Sequence, residues 1–420
     1  MITFHKQQTL ALLYLAMAVY ITIVRKPIVI TVFDLLLLSI LIFNIGKLSF
    51  TSRIPTDRNL LGYLFSLLIL MIIHMDITSS LKEIIQMIEV YLFYVILVSY
   101  FDDYSEINND NHLKFLKSFV NIIFLGLLIS FAVDWALRAS DERHLLNFLA
   151  VPLLIISVLT FFYETKIKIR ILSNRFFSSL VALFSLGIIY YENSRAAILF
   201  FVIFIAALAL QIKKRYLLPI IAISFATISV VSYIQESSQT EAFQTFRYSD
   251  TGQLVYYDNL TVTATRGLGS LQVLFENMDT VIEFITTPEE GILSDNIYGS
   301  NYERLFQVKF VYQAFINNPI FGMGPNKAAE IANVHGIMLV TLADFGLVGF
   351  TILCLYIINS FRKVRTLVRS EEIFDMFLYY YFIYSVIVLA FVSAGLLPFI
   401  PFVFISTLIH IRYHTLSFRK

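Results

Sequence analysis

Apolar residues run along this chain in blocks close to the length of a bilayer crossing, separated by short polar stretches. The blocks lie at roughly 8–24, 28–45, 60–76, 84–101, 118–135, 145–163, 176–191, 195–212, 215–233, 336–359, 374–393 and 396–412. A transmembrane helix needs about 20 predominantly apolar residues, so the pattern predicts about twelve transmembrane helices, two or three of them short. The first block is preceded by Lys6 and contains Ala16-Met17-Ala18, which imitates a signal-peptide cleavage site. Its apolar run continues through Val19-Tyr20-Ile21-Thr22-Ile23-Val24, and it is read as an uncleaved span.

Composition agrees with the pattern. The 420 residues are 58% hydrophobic with a mean hydropathy of +0.76, which describes a polytopic integral membrane protein and excludes a soluble enzyme. A net charge of +1 gives no reason to invoke a nucleic-acid partner. The single cysteine, Cys354, lies inside a predicted span, so disulfides and cysteine metal sites within the chain are excluded.

The basic residues orient the chain. With the N-terminus inside, Lys47, Arg53, Arg58, Lys114, Lys117, Lys166, Lys168, Arg170, Arg175, Lys213, Lys214, Arg215, Arg362, Lys363, Arg365 and Arg369 all fall in cytoplasmic loops. Both termini are then cytoplasmic, and the long segment 234–335 is left on the outer side. Loops of that length are functional or disordered, and the aromatic and apolar content at Val255-Tyr256-Tyr257 and Leu271–Phe275 argues for order. The chain therefore divides into a membrane bundle at 1–233, an outer loop with short helices at 234–335, and a second bundle at 336–420. Ahead of Arg304 the outer loop is acidic, with Arg247 and Arg266 as its cations.

Candidate chemistry concentrates in Tyr302–Phe350, where a helix signal breaks at Asn317-Asn318-Pro319, turns through Gly322-x-Gly324-Pro325, and enters an apolar helix headed by His335. At about 100° per residue, Arg304, Val308, Val311 and Phe315 share one face, and Lys309 falls roughly opposite. The same count places His335, Leu339, Leu342, Gly346 and Gly349 on one stripe, with Asp344 about 180° from His335. A surface helix with a snorkelling arginine and a capping histidine would account for the stretch equally well.

A second outer feature is Glu192-Asn193-Ser194-Arg195-Ala196. Ser194 is a good N-cap, but Arg195 in the first helical turn opposes the macrodipole and lies on the side that the positive-inside rule depletes. Exposed N–H groups, the Ser194 hydroxyl and a guanidinium suit an anion such as a diphosphate. Contact with lipid phosphates is the simpler alternative. Within the spans, Asp34 and the stripe Lys82, Gln86, Glu89 are polar groups that face protein or water. Glu89, with Arg266 of the outer loop, makes a possible secondary polar site, and helix pairing explains such groups as well as catalysis does. His74-Asp76 and Asp134-Trp135 read as interfacial. No HExxH, Gly-x-Ser-x-Gly or P-loop pattern is present.

Taken together, Glu192-Asn193-Ser194-Arg195-Ala196 opening a span, Arg304 ahead of Asn317-Asn318-Pro319-Ile320-Phe321-Gly322-Met323-Gly324-Pro325, and His335 followed by Asp344-Phe345-Gly346 and Gly349 resemble the O-antigen ligase and polysaccharide polymerase superfamily of bacterial envelopes. The resemblance covers roughly residues 190–350. It implies an all-α, GT-C-like integral membrane glycosyltransferase of the bacterial plasma membrane that needs no metal and no cofactor. It implies a glycan donor carried on undecaprenyl diphosphate, with a flippase and a chain-length regulator as possible partners. Two departures stand out. Gly336 occupies the place where the family often has asparagine after the histidine, and the stretch from Arg195 to Arg304 is long.

Breaking a sugar–diphosphate bond develops negative charge on the leaving group, which Arg195 and Arg304 are placed to stabilise. His335, with an unperturbed pKa near 6.5, would take the proton of the acceptor hydroxyl or orient it. The expected function is polymerisation of lipid-linked repeat units. The alternatives are a ligase moving finished glycan to a lipid-A core or another acceptor, and a secondary transporter, against which stands the absence of an internal repeat.

Overall fold

The computed structural model describes residues 6–19, 22–24, 30–44, 56–74, 77–102, 110–137, 146–163, 172, 174–191, 195–211, 245–248, 254–257, 278–287, 300–332, 334, 336–368, 372–391 and 399–417. In chain order these form α1 (Lys6–Val19), β1 (Thr22–Val24), β2 (Ile30–Thr31), α2 (Val32–Asn44), α3 (Arg58–His74), α4 (Ile77–Asp102), α5 (Asp110–Leu137), α6 (Leu146–Phe162), α7 (Arg175–Tyr191) and α8 (Arg195–Gln211). Next come β3 (Thr245–Tyr248), β4 (Leu254–Tyr257), α9 (Met278–Thr286), α10 (Ser300–Asn317) and α11 (Lys327–Ala332). The chain then closes with α12 (Ile337–Leu367), α13 (Ile373–Phe391) and α14 (Phe399–Ser417).

Each apolar block falls on a helix except 215–233, which lies outside the described residues. Among the described residues three helical segments are long and apolar enough to cross a membrane, Lys114–Ala132, Ile337–Leu367 and Ile373–Ala390, and shorter apolar helices accompany them. The described structure is predominantly helical, with two short antiparallel strand pairs. The first block does not stay helical to Val24: α1 ends at Val19, and Thr22–Val24 pairs with Ile30–Thr31, joining Thr22 to Thr31 and Val24 to Ile30. Thr22, Ile23, Val24, Ile30 and Thr31 are all β-branched, so they favour extended backbone while reading as apolar. Strands β3 and β4 pair from Thr245 with Tyr257 to Tyr248 with Leu254, again largely on aromatic and β-branched residues.

The bundle is organised around α13. It packs against α6, α8, α12 and α14, while α6 packs on α7 and α5, and α1 lies along α5. Aromatic rings fill the centre: Tyr14 meets Phe119 at 5.0 Å and Phe404 at 5.1 Å between centroids, and its hydroxyl donates to the Phe148 carbonyl at 2.6 Å. Such offset and tilted pairs add about 0.5–1.5 kcal/mol each beyond the area they bury.

One end of the bundle is closed by ion pairs. Arg412, 1% exposed, donates through Nε to Asp375 Oδ1 at 2.8 Å and through its terminal nitrogen to Asp375 Oδ2 at 3.1 Å and to Glu372. Asp57, 2% exposed, caps α3 through the Asn59 N–H at 3.1 Å and faces Lys363 Nζ at 3.4 Å. These charges join helices, where the sequence pattern marks them as topological signals.

Candidate functional site

The site begins with a break in α12. Gly346 has φ 60 and ψ −158, a conformation open to glycine and closed to other residues, and it interrupts the helix just after Asp344. In an uninterrupted helix the N–H groups of Leu347 and Val348 would donate to the carbonyls of Ala343 and Asp344. Here the loop between α10 and α11 takes both sides of that break. Leu347 N–H donates to Pro319 O at 2.9 Å and Val348 N–H to Ile320 O at 3.2 Å. The freed carbonyls of Ala343 and Asp344 accept from the N–H groups of Met323 and Gly324, each at 2.9 Å. Two helix bonds are thus replaced by four bonds to an inserted loop.

The insertion needs close backbone approach. A Cβ on Gly322 would lie 2.4 Å from the Asp344 carbonyl, and one on Gly346 would lie 2.5 Å from Ile320 O. Gly322 N–H in turn donates to Asn318 O at 3.0 Å, so the loop grows directly out of the last turn of α10. Two side chains hold it from outside. Asp344, fully buried, accepts the Ala328 N–H at 2.7 Å on Oδ1. His74, at the end of α3, lies with Nε2 2.9 Å from Phe321 O, which makes Nε2 the protonated, donating nitrogen. His74 is therefore a clasp on the loop rather than a simple interfacial residue.

This loop ties α10 to α12. Val311 and Ala314 of α10, Ala328 of α11, Val334 and Ala343 form one buried apolar cluster. Arg304 sits in the second turn of α10, about 10 Å along the axis from Val311. Lys309 corrects the angular expectation. It is 6% exposed, with Nζ 4.4 Å from the centre of the Phe284 ring of α9. The face of α10 opposite Val311 is covered because α9 packs there, and the aromatic face offers the ammonium a favourable contact.

Arg195 is the first residue of α8. The rings of Phe200 and Tyr384 are 5.4 Å apart and those of Phe204 and Tyr380 are 4.8 Å apart, so α8 runs antiparallel to α13. One turn further back, the start of α8 is level with the residues around Val388. At that same end Gly336, with φ 90, lies against α13 so closely that a Cβ would be 2.4 Å from Ala390 O. Gly336 is not helical and α12 begins at Ile337, while His335, the expected head of the stripe, lies outside the described residues.

The start of α8 and the backbone at Gly336 thus lie at one end of α13, and α10 packs on Val334, two residues before Gly336. His335, Ser194 and Arg266 lie outside the described residues, and Arg195 and Arg304 are described as helix positions. Glu89 lies on α4, where its electrostatic neighbour is Asp34 of the packed helix α2. The structure therefore gives Glu89 a carboxyl neighbour from a helix that sequence spacing does not connect to it.

Residues 180–354 match the family model described as O-antigen ligase. No curated protein matches the chain.

Proposed function

We propose that this chain, which belongs to the O-antigen ligase and polysaccharide polymerase superfamily through residues 180–354, is a polymerase of surface polysaccharide. It transfers a growing glycan from undecaprenyl diphosphate onto a lipid-linked repeat unit at the outer face of the plasma membrane. The observation that supports this reading is that the start of α8 and the Gly336 backbone lie at the same end of α13, while α10, the helix of Arg304, packs on Val334, two residues before Gly336.

In the reaction the acceptor hydroxyl oxygen forms a bond to the anomeric carbon as the bond from that carbon to the diphosphate oxygen breaks. The hydroxyl proton passes to His335, and the electron pair leaves with undecaprenyl diphosphate. Arg195 and Arg304 stabilise the charge on that leaving group through paired N–H donors, with the Ser194 hydroxyl beside Arg195. No metal is assigned a role. The inserted loop fixes α10, the helix that carries Arg304, relative to α12.

The ligase reading has its own support in the description of the matching family, which is O-antigen ligase. Purified protein incubated with a defined undecaprenyl-diphosphate-linked repeat unit separates the two. A ladder of lipid-linked oligomers is the expected product. Transfer that occurs only when a lipid-A core acceptor is added would replace the polymerase by the ligase, and movement of the lipid-linked unit across a vesicle without bond formation would replace both by a transporter.

A further inference from the structure

A second polar site lies near the far end of the 31-residue helix α12, away from the break at Gly346. Between the start of α3 and the ends of α12 and α14 is a cavity of about 380 Å³, lined by Asn59, Asn359, Arg362, Lys363, Thr366 and Tyr413. Its wall is built. Asn359 Nδ2 donates to Asn59 Oδ1 at 3.1 Å, and Lys363 Nζ lies 3.4 Å from both oxygens of Asp57 and 2.8 Å from His410 Nδ1. Lys363 is thereby committed to the buried Asp57. Arg362 is exposed, and among the described residues no hydrogen bond or ion pair engages it. Arg58 and Arg365 are exposed nearby in sequence on the same two helices.

The cavity continues into an apolar stripe. Leu347, Leu355 and Ile358 are 53%, 52% and 44% exposed. At helical spacing they share a face with Arg362, which follows Ile358 by one turn. From Leu347 to Arg362 is about 22 Å, comparable to the reach of a lipid from headgroup to chain end. An exposed apolar strip that ends in a guanidinium, an amide and a phenol has the polarity of an amphiphile with an anionic head. Among the described residues no carboxylate lines the cavity, so the complement is negative, and the forked guanidinium suits phosphate oxygens.

We propose that this cavity holds the phosphate of an anionic membrane lipid whose acyl chain lies along Leu347, Leu355 and Ile358. It is separate from the proposed diphosphate site, which lies at the other end of α12, and it stands whether or not that site transfers glycan. The charge pattern assigns this end of the bundle to the cytoplasmic side, where basic pockets between transmembrane helices meet anionic headgroups.

The test uses the full chain in neutral detergent with phosphatidylglycerol as probe, bound lipid being read by native mass spectrometry. Wild type, Arg362→Glu and Arg175→Glu are compared, Arg175 being an exposed cation at the start of α7. Arg362→Glu should weaken phosphatidylglycerol binding about tenfold or more, the loss of one charged hydrogen-bond partner. Arg175→Glu should leave it unchanged, and because Arg362 is exposed the melting temperature should not move. Inorganic phosphate should not displace the lipid, and phosphatidylcholine should bind no better to wild type than to Arg362→Glu. Equal phosphatidylglycerol binding by wild type and Arg362→Glu, or equal loss in the two variants, would overturn the site. Displacement by inorganic phosphate at concentrations matching the lipid would overturn the lipid assignment in favour of a soluble phosphate.

Discussion

Replacing Gly346 with alanine tests whether the loop inserted into α12 organises the outer site. The variant has two ways to fold. If the break is kept, a residue with a Cβ must adopt φ 60 and ψ −158, at a cost of about 1–3 kcal/mol. Its Cβ would also lie 2.5 Å from Ile320 O and 2.6 Å from Gly322 N, both backbone atoms that cannot swing aside. If the helix straightens, Leu347 and Val348 regain their helical partners and the four bonds to the loop are lost. The net loss of two bonds costs about 1–3 kcal/mol at 0.5–1.5 kcal/mol each. The collision makes the first route the more costly, so the loop should leave the break. A shift of that size changes the ratio of inserted to released loop by about tenfold or more. Amide exchange at Met323 and Gly324 should accelerate by that factor, while Val368 N–H, bonded to Val364 O at the far end of the helix, keeps its protection. Glycan assembly should fall together with the loop. Exchange at residues 323 and 324 equal to wild type, with normal assembly, would refute both the insertion and its role.

Arg195→Lys and Arg304→Lys should each lose most glycan assembly at normal membrane abundance, because a point charge cannot reproduce the planar fork; polysaccharide ladders read beside immunoblots check this. His335→Gln should still bind lipid-linked donor and turn over about 10²–10⁴-fold more slowly, measured on purified protein, as removal of a general base gives. Asp375→Asn leaves the buried Arg412 with Glu372 as its carboxylate partner and should destabilise the bundle by about 1–3 kcal/mol, whereas the double change to Asp375→Leu and Arg412→Met should recover much of that loss in a thermal melt. Burial first, and the Lys363 cation second, push the His414 imidazolium below its ordinary range, with Asp57 opposing them. The unfolded chain then takes up this proton at higher pH than the folded one. Stability is full above about pH 6.5 and falls as pH drops below it, and His414→Gln should flatten that part of a melting-temperature profile.

Helices were legible wherever an apolar block was bounded by charge, because hydrocarbon length imposes the block and loops collect the basic residues. The tail of the first block was not, since Thr22, Ile23 and Val24 satisfy a hydropathy window equally as helix or strand. Lys309 shows a second limit. Angular periodicity tells which face of α10 is apolar, but it does not tell how many neighbours the helix has, and α9 covers the face where Lys309 lies. The pairs Arg412 with Asp375 and Lys363 with Asp57 were missed for a related reason. Charges at the ends of apolar blocks serve both topology and pairing, and separations of 37 and 306 residues leave no local trace of the second use.

For the site, local chemistry was legible and its target was not. Gly322-x-Gly324-Pro325 reads directly as a turn, because positive φ values of 75 and 108 are what glycine supplies. Nothing in those residues says that the turn fills a gap in another helix. The gap itself is hidden because Asp344-Phe345-Gly346 sits in a run that stays apolar on both sides, and a single glycine within a helix carries no sign of a break. Only when both ends are seen does the motif become one device. The glycine at 346 opens two donors and two acceptors in apolar surroundings, where each unsatisfied backbone group would cost several kcal/mol. The loop from 319 to 324 supplies their four partners. Neither glycine cluster is tolerable without the other, so the segment that carries Arg304 and the segment that follows His335 have to fold as a unit. That mutual requirement is a physical reason for residues some 30 positions apart to keep one geometry, which the proposed transfer between two lipid-linked substrates would demand.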